Sequence, residues 1–118
     1  MSMSSNEKEI RQYEEQISQL QREWTNKEEQ LKAATNNETE KFHMLESRRA
    51  ELQNETQSYT YNSKLMSLLE QKNNQLGQAQ GATEEVLKTL KSERTQLNNT
   101  MEEEISSVKK KMYAVEGY

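Results

Sequence analysis

The chain has 118 residues, of which 31% are hydrophobic and 31% charged, and a formal net charge of -4. With a mean hydropathy of -1.24, it has too few apolar side chains to fill the core of a compact globule of this length. The acidic balance disfavours nucleic acid as the main partner, because phosphate binding requires a basic face. The longest apolar run, residues 112–115, is far too short to span a membrane.

The choice of polar residues separates an extended helical rod from a disordered chain. There is no proline and every acidic residue is glutamate, while glutamine, lysine and arginine supply nearly half of the other polar positions. These residues lose little rotamer freedom in a helix, whereas disordered chains favour proline and glycine. We therefore expect an all-α fold. The lack of cysteine suits a reducing compartment, so we expect an intracellular, cytoplasmic or cytoskeletal protein.

The first helix is predicted to begin near residue 5 or 6, after a flexible N-terminus of residues 1–5. Ser4 and Glu7 have the spacing of a capping box. Residues 6–76 are predicted to form a coiled-coil segment, because apolar residues recur there at alternating spacings of three and four. The frame runs from Ile10 to Val115 in steps of seven, and 12 of its 16 a positions are apolar.

These a and d residues form a predicted seam, the stripe that we expect to be buried against partner helices. Its members are Ile10, Tyr13, Ile17, Leu20, Trp24, Leu31, Leu45, Leu52, Tyr59, Met66, Leu69, Leu76, Leu87, Leu90, Leu97, Met101, Val108 and Val115. The middle third of the chain is expected to be the least stable part, because its d positions are all polar: Lys41, Arg48, Glu55 and Asn62.

Two glycines mark the place where the rod is most easily interrupted. Gly77 and Gly81 each cost about 1 kcal/mol inside a helix, and Thr83 followed by two glutamates resembles a helix N-cap. Residues 77–83 are thus either a turn or a locally loosened part of a continuous helix. Residues 84–116 are predicted to be a second coiled-coil segment, which Gly117 terminates.

The sequence offers few candidate catalytic residues. The single histidine, His43, follows Glu40 at a spacing used by helical metal sites, but both positions lie outside the predicted seam. We expect no catalytic residue, no metal and no cofactor, and hence a protein that is not an enzyme. The basic run of residues 109–111 is expected to be a solvated face.

The flanks of the seam indicate what kind of partner the helix would take. A parallel in-register homodimer would place Glu9 against Glu14 and Glu23 against Glu28, which is repulsive. The flanks also carry apolar residues that a two-stranded seam cannot bury: Phe42, Met44, Leu65, Ala79, Val86, Ile105 and Met112. Other α-helical chains are therefore the expected partners. A hetero-oligomer or a higher-order homo-oligomer is favoured over a parallel homodimer.

The functional prediction is a non-catalytic structural or scaffold coiled-coil protein. It would associate with partner helices as a spacer or an assembly subunit. Two alternatives remain open at this point. One is a helical-hairpin adaptor of a multi-protein complex, folded near Gly77 and Gly81; the other is a compact three-helix binding module with turns near Asn36 and Gly77.

Overall fold

The computed structural model describes residues 4–59 and 61–117 and contains two long helices. Helix α1 is Ser5–Ser58 and helix α2 is Ser63–Glu116. The predicted all-α coiled-coil class is confirmed, in the form of a helical hairpin. A single uninterrupted helix is wrong, because the chain turns between α1 and α2. The three-helix alternative is wrong as well, since α1 continues through Asn36 and the described residues contain two helices.

Both outer ends of the hairpin follow the sequence prediction. The amide of Glu7 donates a hydrogen bond to Ser4 Oγ at 3.2 Å, so Ser4 caps α1. Of the predicted flexible N-terminus, residues 1–3 lie outside the described residues, and Ser5 already belongs to the helix. At the other end Gly117 has a φ of 88° and donates its amide to the Ala114 carbonyl at 3.3 Å. That left-handed conformation suits glycine and ends α2.

Asn62 begins the second helix instead of filling a seam position. Its amide donates to the Tyr59 carbonyl at 3.0 Å, which closes the chain reversal. Its side-chain oxygen accepts the amide of Leu65 at 3.0 Å, the bond that an N-cap asparagine makes. Its own carbonyl accepts the amide of Met66 at 2.9 Å, the first bond of the following helix.

The turn predicted as an alternative at residues 77–83 is not formed. Helix α2 runs through Gly77, Gly81 and Thr83 without interruption, so the hairpin turns about fifteen residues earlier than the glycines suggested. Two interior glycines cost about 2 kcal/mol together. Burial of apolar side chains along a long helix offsets a cost of that size.

The described residues form two packing units. The first joins the part of α1 up to Lys32 to the part of α2 from Ser92 onward. Its core contains the buried Ile17, Ile105 and Val108. Partly buried side chains pack around these three: Tyr13, Leu20, Trp24 and Met112.

The second unit, Ala33–Lys91, contains both sides of the turn. Its most buried side chain is Leu52, with 2% of its surface exposed. Thr83 is also buried, and its hydroxyl donates to the Ala79 carbonyl one turn earlier at 3.1 Å. Thr56 donates to Leu52 in the same way at 2.7 Å. Because these hydroxyls bond within their own helix, they can approach the opposite helix without an unsatisfied polar group.

Neither of the described helices contains a stretch both long and apolar enough to cross a membrane.

Candidate docking surface

The predicted seam faces inward in both units. Of its 18 residues, all except Tyr59 are buried or half-buried. Tyr59 is 48% exposed because α1 has already ended there. The other residues gain this burial within one chain, which means that the hairpin supplies each helix with a first partner. Contact of the seam with a second protein remains a prediction.

The seam changes its frame once in α1, at Trp24. Inward-facing residues before it follow the predicted spacing, but the next one is Glu28, and Lys27 is exposed. Two successive steps of four, from Leu20 to Trp24 to Glu28, constitute a stutter, which locally unwinds a coiled coil. The unwinding places the charge of Lys27 in solvent.

Helix α2 makes a matching change in the same unit. Its inward residues step by four from Leu97 to Met101 and again to Ile105, and Glu104 at the predicted d position is exposed. The two stutters face each other, since Trp24 Nε1 donates a hydrogen bond to Asn98 Oδ1 at 2.8 Å. One turn further along, Arg94 Nη2 reaches Glu28 Oε1 at 3.4 Å. Both helices therefore change frame together and keep their stripes in contact.

After the stutter, the residues facing α2 lie one position later than the predicted d positions. Lys41, Arg48 and Glu55 are exposed, so their polarity leaves no gap in the packing. The half-buried positions beside them belong to Phe42, Arg49 and Thr56. The a positions Leu31, Leu45 and Leu52 keep their steps of seven, whereas the predicted d positions Lys41, Arg48 and Glu55 are wrong as inward-facing positions.

Arg49 joins the two helices of the second unit through polar contacts. Its guanidinium donates to Asn73 Oδ1 at 3.2 Å and to Gln80 Oε1 at 2.9 Å. It lies over Gly77, where a methyl group added to the backbone would stand 3.3 Å from Arg49 Cζ. Gly77 is accordingly a small residue beneath an arginine, while a methyl group added at Gly81 would meet nothing within 4 Å.

One side of the second unit carries apolar side chains that the hairpin does not cover. Met44 is 73% exposed and Val86 is 42% exposed. Together with the half-buried Ala34 and Leu90 they line an open groove between the two helices. The polar residues of the groove wall are Asn37, Glu38, Glu40 and Lys41.

Further apolar residues lie on the same side of α2 towards the turn, with the polar Lys72 and Gln75 between Leu68 and Ala79. Leu68, Ala79 and Ala82 are exposed, and helical spacing places them in one row with Val86 and Leu90. We call this side the open face, defined by Ala34, Met44, Leu68, Ala79, Ala82, Val86 and Leu90. Of the apolar flanks predicted from the sequence, Met44, Ala79 and Val86 belong to it. The hairpin itself uses the others: Ile105 is buried, and Phe42, Leu65 and Met112 are half-buried.

Charged residues border the open face on α1. Lys41 Nζ lies 3.2 Å from Glu38 Oε1, and Arg48 Nη1 lies 2.8 Å from Glu51 Oε2. Both pairs bridge one turn of the same helix. Glu38 is half-buried, whereas Lys41 and both members of the Arg48–Glu51 pair are exposed. Such pairs contribute well under about 1 kcal/mol, so a partner could recruit these charges at little cost.

The remaining candidate features lie apart from the open face or at its edge. His43 is exposed and its ring meets Phe42 edge-on, with centroids 5.9 Å apart. Among the described residues, no group of three or more histidine and acidic side chains could hold a metal. The three lysines at 109–111 are exposed.

No protein-family model matches the chain, and neither a curated protein nor a solved structure is significantly similar to it.

Sequence reasoning missed Ala34, Leu68 and Ala82 as members of a surface. Their signal is present in the sequence, since Leu68, Ala79, Ala82 and Val86 repeat at helical spacing beside the seam. It can be interpreted only when the turn is known, because the turn decides which flank of α2 lies beside Met44.

Proposed function

We propose that the protein is a non-catalytic structural adaptor, a two-helix hairpin that docks onto other α-helices through its open face. The observation that carries this proposal is the exposure of Met44 and Val86 on one side of a hairpin whose own seam is already filled. An intracellular location, cytoplasmic or cytoskeletal, belongs to the same proposal and is supported by the cysteine-free composition.

A physical reason to expect a partner is that the hairpin has only two helices. Two helices can bury only the stripe that each presents to the other, and stable helical domains usually add further helices. Five described hydrophobic side chains are buried: Ile17, Leu52, Met101, Ile105 and Val108. Burial of the open face would add apolar contacts that this thin core lacks.

The composition of the open face suits a helix as its occupant. Its apolar members combine long side chains with three alanines, and such a mixture of sizes lets packed helices interdigitate. A methionine at such a site adapts to irregular partner surfaces. Charged side chains along the border would set the orientation of the bound helix.

The proposal is tested by proximity labelling in cells that express the full tagged chain. Met44→Glu with Val86→Glu should remove the labelled α-helical partners of the wild type, because it buries two charges in an apolar contact. Asn36→Glu with Asn74→Glu is the matched control, since both asparagines are exposed and lie outside the open face. If the wild type and the double variant, Met44→Glu with Val86→Glu, label the same set of partners, the docking role is refuted.

A further inference from the structure

We propose that a second copy of this chain occupies the open face, with α1 of each copy lying against α2 of the other. This inference rests on the proposed function, which it deepens by naming the partner. Two hairpins packed in this way would form an antiparallel four-helix bundle through Ala33–Lys91, the second unit.

The first support is the register of the hairpin. Arg49 bonds both Asn73 and Gln80 across the helix pair, and the turn brings Tyr59 to Asn62. Because a helical side chain leans towards the N-terminus of its own helix, Arg49 reaches past its own level to Gln80, and Asn73 is the nearer guide to the register. In this unit, residues whose numbers add to roughly 122 therefore lie at about the same level. Met44 is thus level with Ala79, and Lys41 is level with Ala82. Met44 on the open face and Lys41 at its border therefore each have a small residue of α2 at their own height.

A two-fold axis parallel to the helices uses this match. It keeps every residue at its level and places α1 of each copy against α2 of the other, so each contact occurs twice. Met44 would pack over Ala79 of the second copy, where the small side chain leaves room for it. The aliphatic stem of Lys41 would cover Ala82 with its charge directed to solvent.

Charge complementarity supports the same arrangement. Glu51, beside the open face on α1, shares a level with Lys72, which helical spacing places between Leu68 and Ala79 on α2, so the axis brings these opposite charges together twice. Arg48, which holds Glu51 at 2.8 Å, would meet Gln75, a neutral acceptor. No like charges oppose each other among these pairs.

The competing two-fold arrangement is disfavoured by its charges. If α1 packed on α1 in antiparallel fashion around Met44, Lys41 of one copy would lie beside Arg48 of the other. The symmetry repeats that repulsion, and the alanines of α2 would remain exposed. The pairing of α1 with α2 is the one in which both size and charge are matched.

Disulfide trapping tests the register, because the natural chain contains no cysteine. Two full-length variants, Met44→Cys and Ala79→Cys, are purified separately, mixed and mildly oxidised. We expect the mixed disulfide in several-fold excess over the Met44→Cys homodimer, and wild type should sediment as a dimer of twice 13.9 kDa. His43→Cys, exposed and next in sequence to Met44, replaces Met44→Cys in the control mixture and should give little mixed product. Circular dichroism checks that each variant is helical.

Two results would overturn the inference. One is a monomer at tens of micromolar by sedimentation; the other is a predominance of the Met44→Cys homodimer. The proposed function would still stand if Met44→Glu with Val86→Glu removed heterologous partners in the labelling experiment, because the open face would then bind another protein. If that variant left the partner set unchanged as well, both proposals would fail.

Discussion

Trp24 and Asn98 are joined across the helix pair by a hydrogen bond of 2.8 Å from the indole nitrogen to the amide oxygen. The bond lies where both helices change frame, and it lets a large aromatic side chain occupy a two-helix seam. An indole ring is bulky for a seam between only two helices, and its N–H needs a hydrogen-bond acceptor when it is buried. The asparagine resolves that difficulty, because it satisfies the polar edge of the ring while the rest packs on the core.

Removal of Asn98 should therefore weaken the fold more than removal of its neighbour. Asn98→Ala leaves the half-buried indole N–H without its partner, and we expect a loss of about 1 kcal/mol. Asn99→Ala, at an exposed position in the same turn, has the same gain in helix propensity and no such loss. Urea unfolding followed by circular dichroism measures the difference. Equal midpoints for the two variants would show that the bond contributes nothing.

The two adjacent arginines test the shifted frame of α1. Arg49→Ala removes two hydrogen bonds to α2, whereas Arg48→Ala removes an exposed pair within α1. We expect Arg49→Ala to destabilise the chain by about 1–2 kcal/mol more than Arg48→Ala. Thermal unfolding of both variants measures this difference. A larger loss for Arg48→Ala would restore the uninterrupted heptad frame.

The glycines should respond differently to the same substitution. Gly81→Ala should raise stability by about 0.5–1 kcal/mol, because its site is open and the helix is continuous. Gly77→Ala should gain less, since the new methyl group meets the Arg49 guanidinium. In an Arg49→Ala background the Gly77 substitution should recover the full gain. Chemical unfolding of the four variants checks this, and equal gains at both glycines in the natural chain would contradict the contact.

A buried leucine of α1, Leu52, and an exposed leucine of α2, Leu68, should differ in their contribution to the free energy of unfolding. Leu52→Ala, at a position 2% exposed, should cost about 2–4 kcal/mol. Leu68 is 60% exposed, so Leu68→Ala should cost the isolated chain under about 1 kcal/mol. Measurement at low protein concentration keeps association out of the comparison. Similar losses at both positions would mean that Leu68 is buried by something else.

The sequence predicts those features of the fold that depend on a local pattern of residues. The a-position leucines Leu45 and Leu52 lie half-buried and buried, as expected for an apolar stripe at helical spacing, while their contact with a partner protein stays a prediction. The caps at Ser4 and Gly117 were also correct, since each depends on one residue type in one backbone geometry.

The turn could not be located by the same reasoning. Two glycines seemed the weakest point of the rod, but a helix tolerates isolated glycines when its stripe continues across them. The chain reverses instead where polar and aromatic residues of modest helix propensity meet an asparagine able to cap. Asn62 caps α2 there, but asparagine is so common in this chain that its position alone does not mark a helix start.

The frame shift escaped prediction for a different reason. Steps of seven describe a supercoil, but a helix has 3.6 residues per turn, so packing can drift by one position. Whether it drifts depends on the opposite helix, here through Asn98 and Arg94. The position of the open face could not be predicted either, because it depends on both the turn and the frame shift.

The reversal of the chain on itself is tested most directly by single-molecule fluorescence transfer between dyes at Glu14→Cys and Ser107→Cys. Both positions are exposed and belong to the first unit, and dilution to single molecules excludes transfer between copies. Paired helices have axes about 8–10 Å apart, so the hairpin predicts high transfer efficiency. One uninterrupted helix would separate the dyes by about 140 Å, and the absence of transfer in a helical chain would contradict the hairpin.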